Sequence, residues 1–88
     1  MADEETERLW LVEREYSDKG MVNLVYATTD GGRHLRKQLS GQMLTRTDVT
    51  AALDVEPGRI EPTHESDRDR YATEAQRMAE RHDPEDPV

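Results

Sequence analysis

Two glycine turns divide the first half of this chain, and little else about its fold is free once they are placed. Asp18-Lys19-Gly20 suits a type I turn followed by glycine in the left-handed region, and Asp30-Gly31 suits a two-residue type I′ turn. Between and around them run three stretches rich in β-formers: Leu9–Tyr16, Val22–Thr28 and Arg33–Leu39. They read as a three-stranded antiparallel β-meander with the second strand in the centre.

The turns also fix the pairing. The first sets Tyr16 opposite Val22, Arg14 opposite Leu24 and Val12 opposite Tyr26. The second sets Tyr26 opposite Leu35, Leu24 opposite Lys37 and Val22 opposite Leu39. Trp10, Val12, Tyr26, Leu35 and Leu39 then share one face, which is the expected core. The opposite face carries Glu13, Glu15 and Arg36 beside an apolar spot of Leu11, Val25 and Ala27, the candidate interface. On this reading Val12→Asp unfolds the domain and Leu11→Asp spares it.

The second half reads as two helices. Thr45 or Thr47 caps a short one from Asp48 to about Val55, with Val49, Ala52 and Leu53 inward and Pro57-Gly58 ending it. Arg59–Pro62 is a loop or very short strand, and Ile60 fills a gap in the core. Ser66 caps a longer C-terminal helix whose stripe is Tyr71, Ala75, Met78, Ala79 and His82. The expected fold is α+β, the meander followed by both helices packed on one face. Residues 1–7 form a disordered acidic lead-in, 8–82 a single domain and 83–88 a polar tail.

With 88 residues, 33% of them hydrophobic and no Phe, the core is thin. Chains of this size lean on disulfides, metals or association. No Cys is present, so self-association is the expected remedy, as a homodimer or small homo-oligomer. Met1-Ala-Asp-Glu-Glu is acidic where a secretion signal is basic, and Leu9–Val12 is too short to span a bilayer. The expected location is the cytoplasm.

Twenty acids face twelve bases, a net charge of −8, and only Lys19 and Lys37 are lysines. This balance resembles the small acidic proteins of unknown function of halophilic archaea. The resemblance is one of composition along the whole chain. It implies a surface whose self-repulsion is screened at high salt, since the Debye length falls to ~3 Å near 1 M.

From Gly31 to Thr47 there is no acid, yet Arg33, Arg36, Lys37 and Arg46 all fall there, with His34 among them. These five are the candidate anion- or nucleic-acid-binding residues. Against that reading, strand alternation sends Arg33 and Lys37 to one face and His34 and Arg36 to the other. Glu61, His64 and Glu65 lack a defined metal-ligand spacing, and His82 suits a helix C-terminus. Asp30-Gly31-Gly32 is too short for a phosphate loop. No nucleophile setting stands out, so neither cofactor nor catalytic residue is assigned. The function expected is a non-catalytic interaction or regulatory module, with nucleic-acid or anionic-ligand binding through 31–47 as the alternative.

Overall fold

The computed structural model describes residues 6–17, 19–40 and 49–88. The protein is α+β: β1 (Glu7–Tyr16), β2 (Met21–Ala27), β3 (Arg33–Ser40), β4 (Ala52–Val55) and β5 (Glu61–Pro62) precede helix α1 (Glu65–Arg81). The strands form one antiparallel sheet in the order β4-β1-β2-β3-β5. The meander is its middle, so the edge strands are β4 and β5 rather than β1 and β3.

The first turn is as its glycine requires. Gly20 sits at φ 75°, and Ser17 N–H donates to the Met21 carbonyl at 2.8 Å. Asp18 lies outside the described residues. The second turn keeps the expected register but differs in type, because only Gly31 has positive φ (72°) and Asp30 does not. Gly31 N–H donates to the Thr28 carbonyl at 2.8 Å and Thr28 N–H to the Arg33 carbonyl at 3.1 Å, closing a four-residue loop. Asp30 Oδ1 accepts from Thr28 Oγ1 at 2.6 Å and from Gly32 N–H at 2.8 Å, and these bonds lower the Asp30 pKa.

β1 departs from the simple ladder. Tyr16↔Val22 and Arg14↔Leu24 pair as expected, but the register shifts between Leu11 and Glu13. Val12 is the extra residue of a β-bulge. Beyond it Leu11 pairs with Tyr26 and Trp10 with Ala27, so the phase of β1 is inverted. Leu9 and Leu11 join Val22, Leu24 and Tyr26, while Trp10 moves to the face of Val25 and Ala27. The expected single core face is therefore corrected: both faces of the sheet's middle are buried.

The segment expected to be a short helix is β4. Its four residues pair Val55 with Glu7 and Ala52 with Trp10. An unpaired β1 edge offers these residues main-chain partners, and one turn of helix in water is a poor competitor. The proposed caps Thr45 and Thr47, and Asp48 at the expected helix start, lie outside the described residues. From Val55 a 3₁₀ turn at Pro57–Arg59 leads to β5 on the opposite edge. Five strands laid flat set those edges ~19 Å apart, near the full reach of so short a link. The sheet must therefore coil, drawing its edges together around Leu9, Leu24 and Tyr26, with Ile60 packed against them as expected. An ion pair between Arg33 and Glu7 joins β3 to β1 in the same way.

Tyr26 is 2% exposed, and burial raises the pKa of its phenol against the opposing charge of Arg14. The folded phenol thus holds its proton more tightly than the unfolded one. That contribution is complete below about pH 10 and is lost as pH climbs through the folded pKa. Melting temperature is expected to fall from about pH 10 upward, and Tyr26→Phe to remove this part of the decline in a pH series of thermal melts.

α1 packs on the Trp10–Val25–Ala27 face: on β2 this is the reverse of the side expected, whereas Trp10 and Val12 lie against the helix as expected. Tyr71 seats on Val25 and Ala27, and Ala75 on Trp10, Ala51 and Ala52, so the predicted stripe does face the sheet. The cap is His64, not Ser66: Nδ1 accepts from Ser66 N–H at 3.2 Å. At the turn, Gln76 Nε2 donates to the Thr29 carbonyl at 3.0 Å. A Cβ on Gly31 would lie 2.1 Å from the Arg68 carbonyl oxygen, so this glycine is what lets α1 approach. Residues 83–88 run back along 49–52. Ala51 N–H donates to the Asp86 carbonyl at 2.8 Å, Ala52 N–H to the Pro84 carbonyl at 3.1 Å and Val88 N–H to the Val49 carbonyl at 2.8 Å.

Candidate functional site

A cleft of about 410 Å³ lies where the β1 bulge, the end of α1 and Val88 meet. Leu11, Val12, Met78 and Val88 give it an apolar floor, and Glu13, Arg14 and His82 stand on its rim. Each rim group has a partner. Arg14 Nη2 donates to the Val88 carbonyl at 2.8 Å, Glu13 Oε1 lies 3.4 Å from Arg70 Nη2, and His82 Nδ1 lies 3.7 Å from Asp86 Oδ2. Such a cleft is suited to accept an apolar side chain beside a charged rim. A second cleft of about 310 Å³, beside β4, is lined by Arg8, Asp54, Thr50 and Glu85. There Arg8 Nε donates to Asp54 Oδ1 at 3.1 Å, and this bond and charge raise the Arg8 pKa.

The candidate basic residues do not converge. Arg33 is held by Glu7. On the other face, His34 Nδ1 lies 3.2 Å from Thr63 Oγ1, and its ring meets Tyr71 edge-on at 6.0 Å. Arg36 is exposed on the face of His34 and Lys37 half-buried on the face of Arg33, as alternation requires. Arg46 lies outside the described residues. Among the described residues no group of three or more His, Cys, Asp or Glu is placed to hold a metal. His64 is turned to its capping role, with Ser66 Oγ 2.9 Å from Nδ1.

A family model described as a family of unknown function, DUF7967, matches residues 3–88. The chain belongs to the DUF7967 family. Neither the curated proteins nor the solved structures compared with it give a match. Membership agrees with the expected protein of unknown function and assigns no site residue. No helix among the described residues of this DUF7967 chain is long and apolar enough to cross a membrane.

Leu11, Val25 and Ala27, expected as an exposed apolar spot, are 8%, 2% and 0% exposed. They are core: the bulge carries Leu11 to the Tyr26 face, and α1 covers Val25 and Ala27. Only the edge of Leu11 reaches the cleft. The cleft was not legible, since nothing in Leu11-Val12-Glu13 marks a bulge and Met78, His82 and Val88 lie far from that segment in sequence.

Proposed function

We propose that this DUF7967 chain is a non-catalytic interaction or regulatory module, working in the cytoplasm as a homodimer whose seam is the cleft beside the β1 bulge. The observation that supports this is the cleft's chemistry: an apolar floor open to solvent, with rim groups already committed to partners in the same chain. A second copy could bury that floor without disturbing them. The thin core of an 88-residue chain supports the same reading, and the acid-rich, cysteine-free composition supports a cytoplasmic setting.

Sedimentation in multi-molar KCl tests it. The native chain is expected to sediment as a dimer. Val12→Glu, which places a carboxylate at the cleft from a half-buried position, is expected to give a monomer with an unchanged circular dichroism spectrum. A native chain that stays monomeric overturns the reading.

A second reading, nucleic-acid or anionic-ligand binding through 31–47, is favoured by one observation: among the described residues Arg36 and Lys37 have no ion-pair partner. Two phosphate contacts would lose roughly a hundredfold in affinity between about 0.2 and 2 M salt. An oligonucleotide titration at both salts that shows no binding at either removes it.

A further inference from the structure

Among the described residues, a strand pairs with only part of the outer edge of β3. β5 has two residues and pairs Arg33 with Pro62 and His34 with Glu61. Beyond His34, no other strand pairs with that edge among the described residues. The main-chain direction there follows from two bonds. The Arg33 carbonyl accepts from Thr28 and so points toward β2, whereas the Gly32 carbonyl accepts from Thr63 N–H at 2.9 Å and points outward. Alternation then aims the N–H and C=O groups of Arg36 and Gln38 outward too.

We propose that this edge takes up an extended acidic segment of a partner protein by strand addition, with two adjacent carboxylates meeting Arg36 on one face of the sheet and Lys37 on the other. The site is separate from the cleft. An added strand alternates its side chains in step with its host, and residues directly opposite share a face. The division of Arg36 and Lys37 between faces, which defeats a single phosphate-binding patch, is what two successive acidic residues of an added strand require. Charge supports the choice of occupant: Arg33 is already neutralised by Glu7, which leaves Arg36 and Lys37 as the edge's unpaired cations among the described residues. Glu13, in line with Arg36 through Val25, is engaged with Arg70. A second copy pairing antiparallel through the same edge and centred on it would set either Arg36 against Arg36 or Lys37 against Lys37, and like charges opposed across strands are unfavourable.

The neighbouring residues refine the partner. Leu35 and Leu39 flank Lys37 on its face and are half-buried, so the positions opposite them should be apolar. Paired antiparallel, the segment reads apolar, polar, acidic, acidic, apolar.

The test uses the full chain and a blocked synthetic peptide with the core Val-Thr-Glu-Glu-Val, beside a Val-Thr-Gln-Gln-Val control. Hydrogen exchange is read residue by residue. Saturating acidic peptide is expected to slow exchange at Arg36 and Gln38 by about tenfold or more and to leave Leu35 and Lys37, already bonded to β2, little changed. Arg36→Glu combined with Lys37→Glu is expected to lose this response and to gain one to a Lys-Lys peptide. Val12→Glu is expected to retain the native response, which separates this edge from the cleft. No slowing at millimolar peptide overturns the proposal, as does equal slowing by the Gln-Gln control. Protection of Arg36 and Gln38 in the free chain also overturns it, because the edge would then be taken by the chain itself or a copy.

Discussion

Gly31→Ala is expected to cost about 3–5 kcal/mol, most of what a domain of this size has to spend. Two effects add. The residue sits at φ 72°, where a side chain strains the backbone by about 1–2 kcal/mol. The new Cβ would also fall 2.1 Å from the Arg68 carbonyl oxygen and 2.8 Å from the Ala72 nitrogen, both helix backbone that cannot move without lifting α1. Gly20 separates the two effects. Its φ is 75°, yet nothing lies within 4 Å of the Cβ position, so Gly20→Ala should cost only the backbone strain. At ~4–8 °C per kcal/mol, Gly31→Ala lowers the melting temperature by roughly 15–30 °C and Gly20→Ala by roughly 5–15 °C. Thermal melts at one salt concentration compare them. Equal losses would mean that α1 does not rest on this turn.

Val25→Asp is expected to abolish the cooperative melt. Val25 is 2% exposed beneath Tyr71, and a carboxylate there would be buried without a partner, at a cost above about 4 kcal/mol. Leu11→Asp should be similarly severe, since Leu11 packs with Tyr26 and Leu24. This reverses the sequence-level expectation that Leu11→Asp spares the fold. Glu13→Gln tests the selectivity. Glu13 follows the bulge on the Val25 face, but it is half-exposed and its ion pair with Arg70 is a surface one, so the change should stay within about 1 kcal/mol. Urea unfolding of the three variants decides the matter, and an Asp at position 25 that melts like the native chain would refute the placement of α1.

What could be read from the sequence was local. Glycines at 20 and 31 set two hairpins, and the register from β2 to β3 followed residue for residue, even though the second turn is a four-residue loop. Both loop types place Thr28 opposite Arg33, so the register survives the difference. The stripe Tyr71-Ala75-Met78 was legible because helical spacing shows whichever surface it meets. What was hidden depends on tertiary contacts. The bulge at Val12 has no glycine or proline to announce it. Four residues at Ala52–Val55 satisfy a helix or a strand equally, and the free edge of β1 decides. The side chosen by α1 did leave a trace: Leu24-Val25-Tyr26-Ala27 is apolar without a break, the mark of a strand buried on both faces. Of the candidate site, the charges on β3 were visible in sequence and their split between faces followed from alternation. The cleft was not, since it exists only where the bulge, the end of α1 and Val88 meet.

The side of the sheet that α1 covers fixes the phase of β1 and the cleft, and nuclear Overhauser contacts from the Tyr71 ring read it directly. The ring should show contacts to the Val25 and Ala27 methyl groups and to the His34 ring, and Ala75 should contact the Trp10 indole. Contacts from Tyr71 to Leu24, Leu35 and Leu39 instead would put the helix on the other side of the sheet, and with it would go the inverted phase of β1 and the cleft beside the bulge.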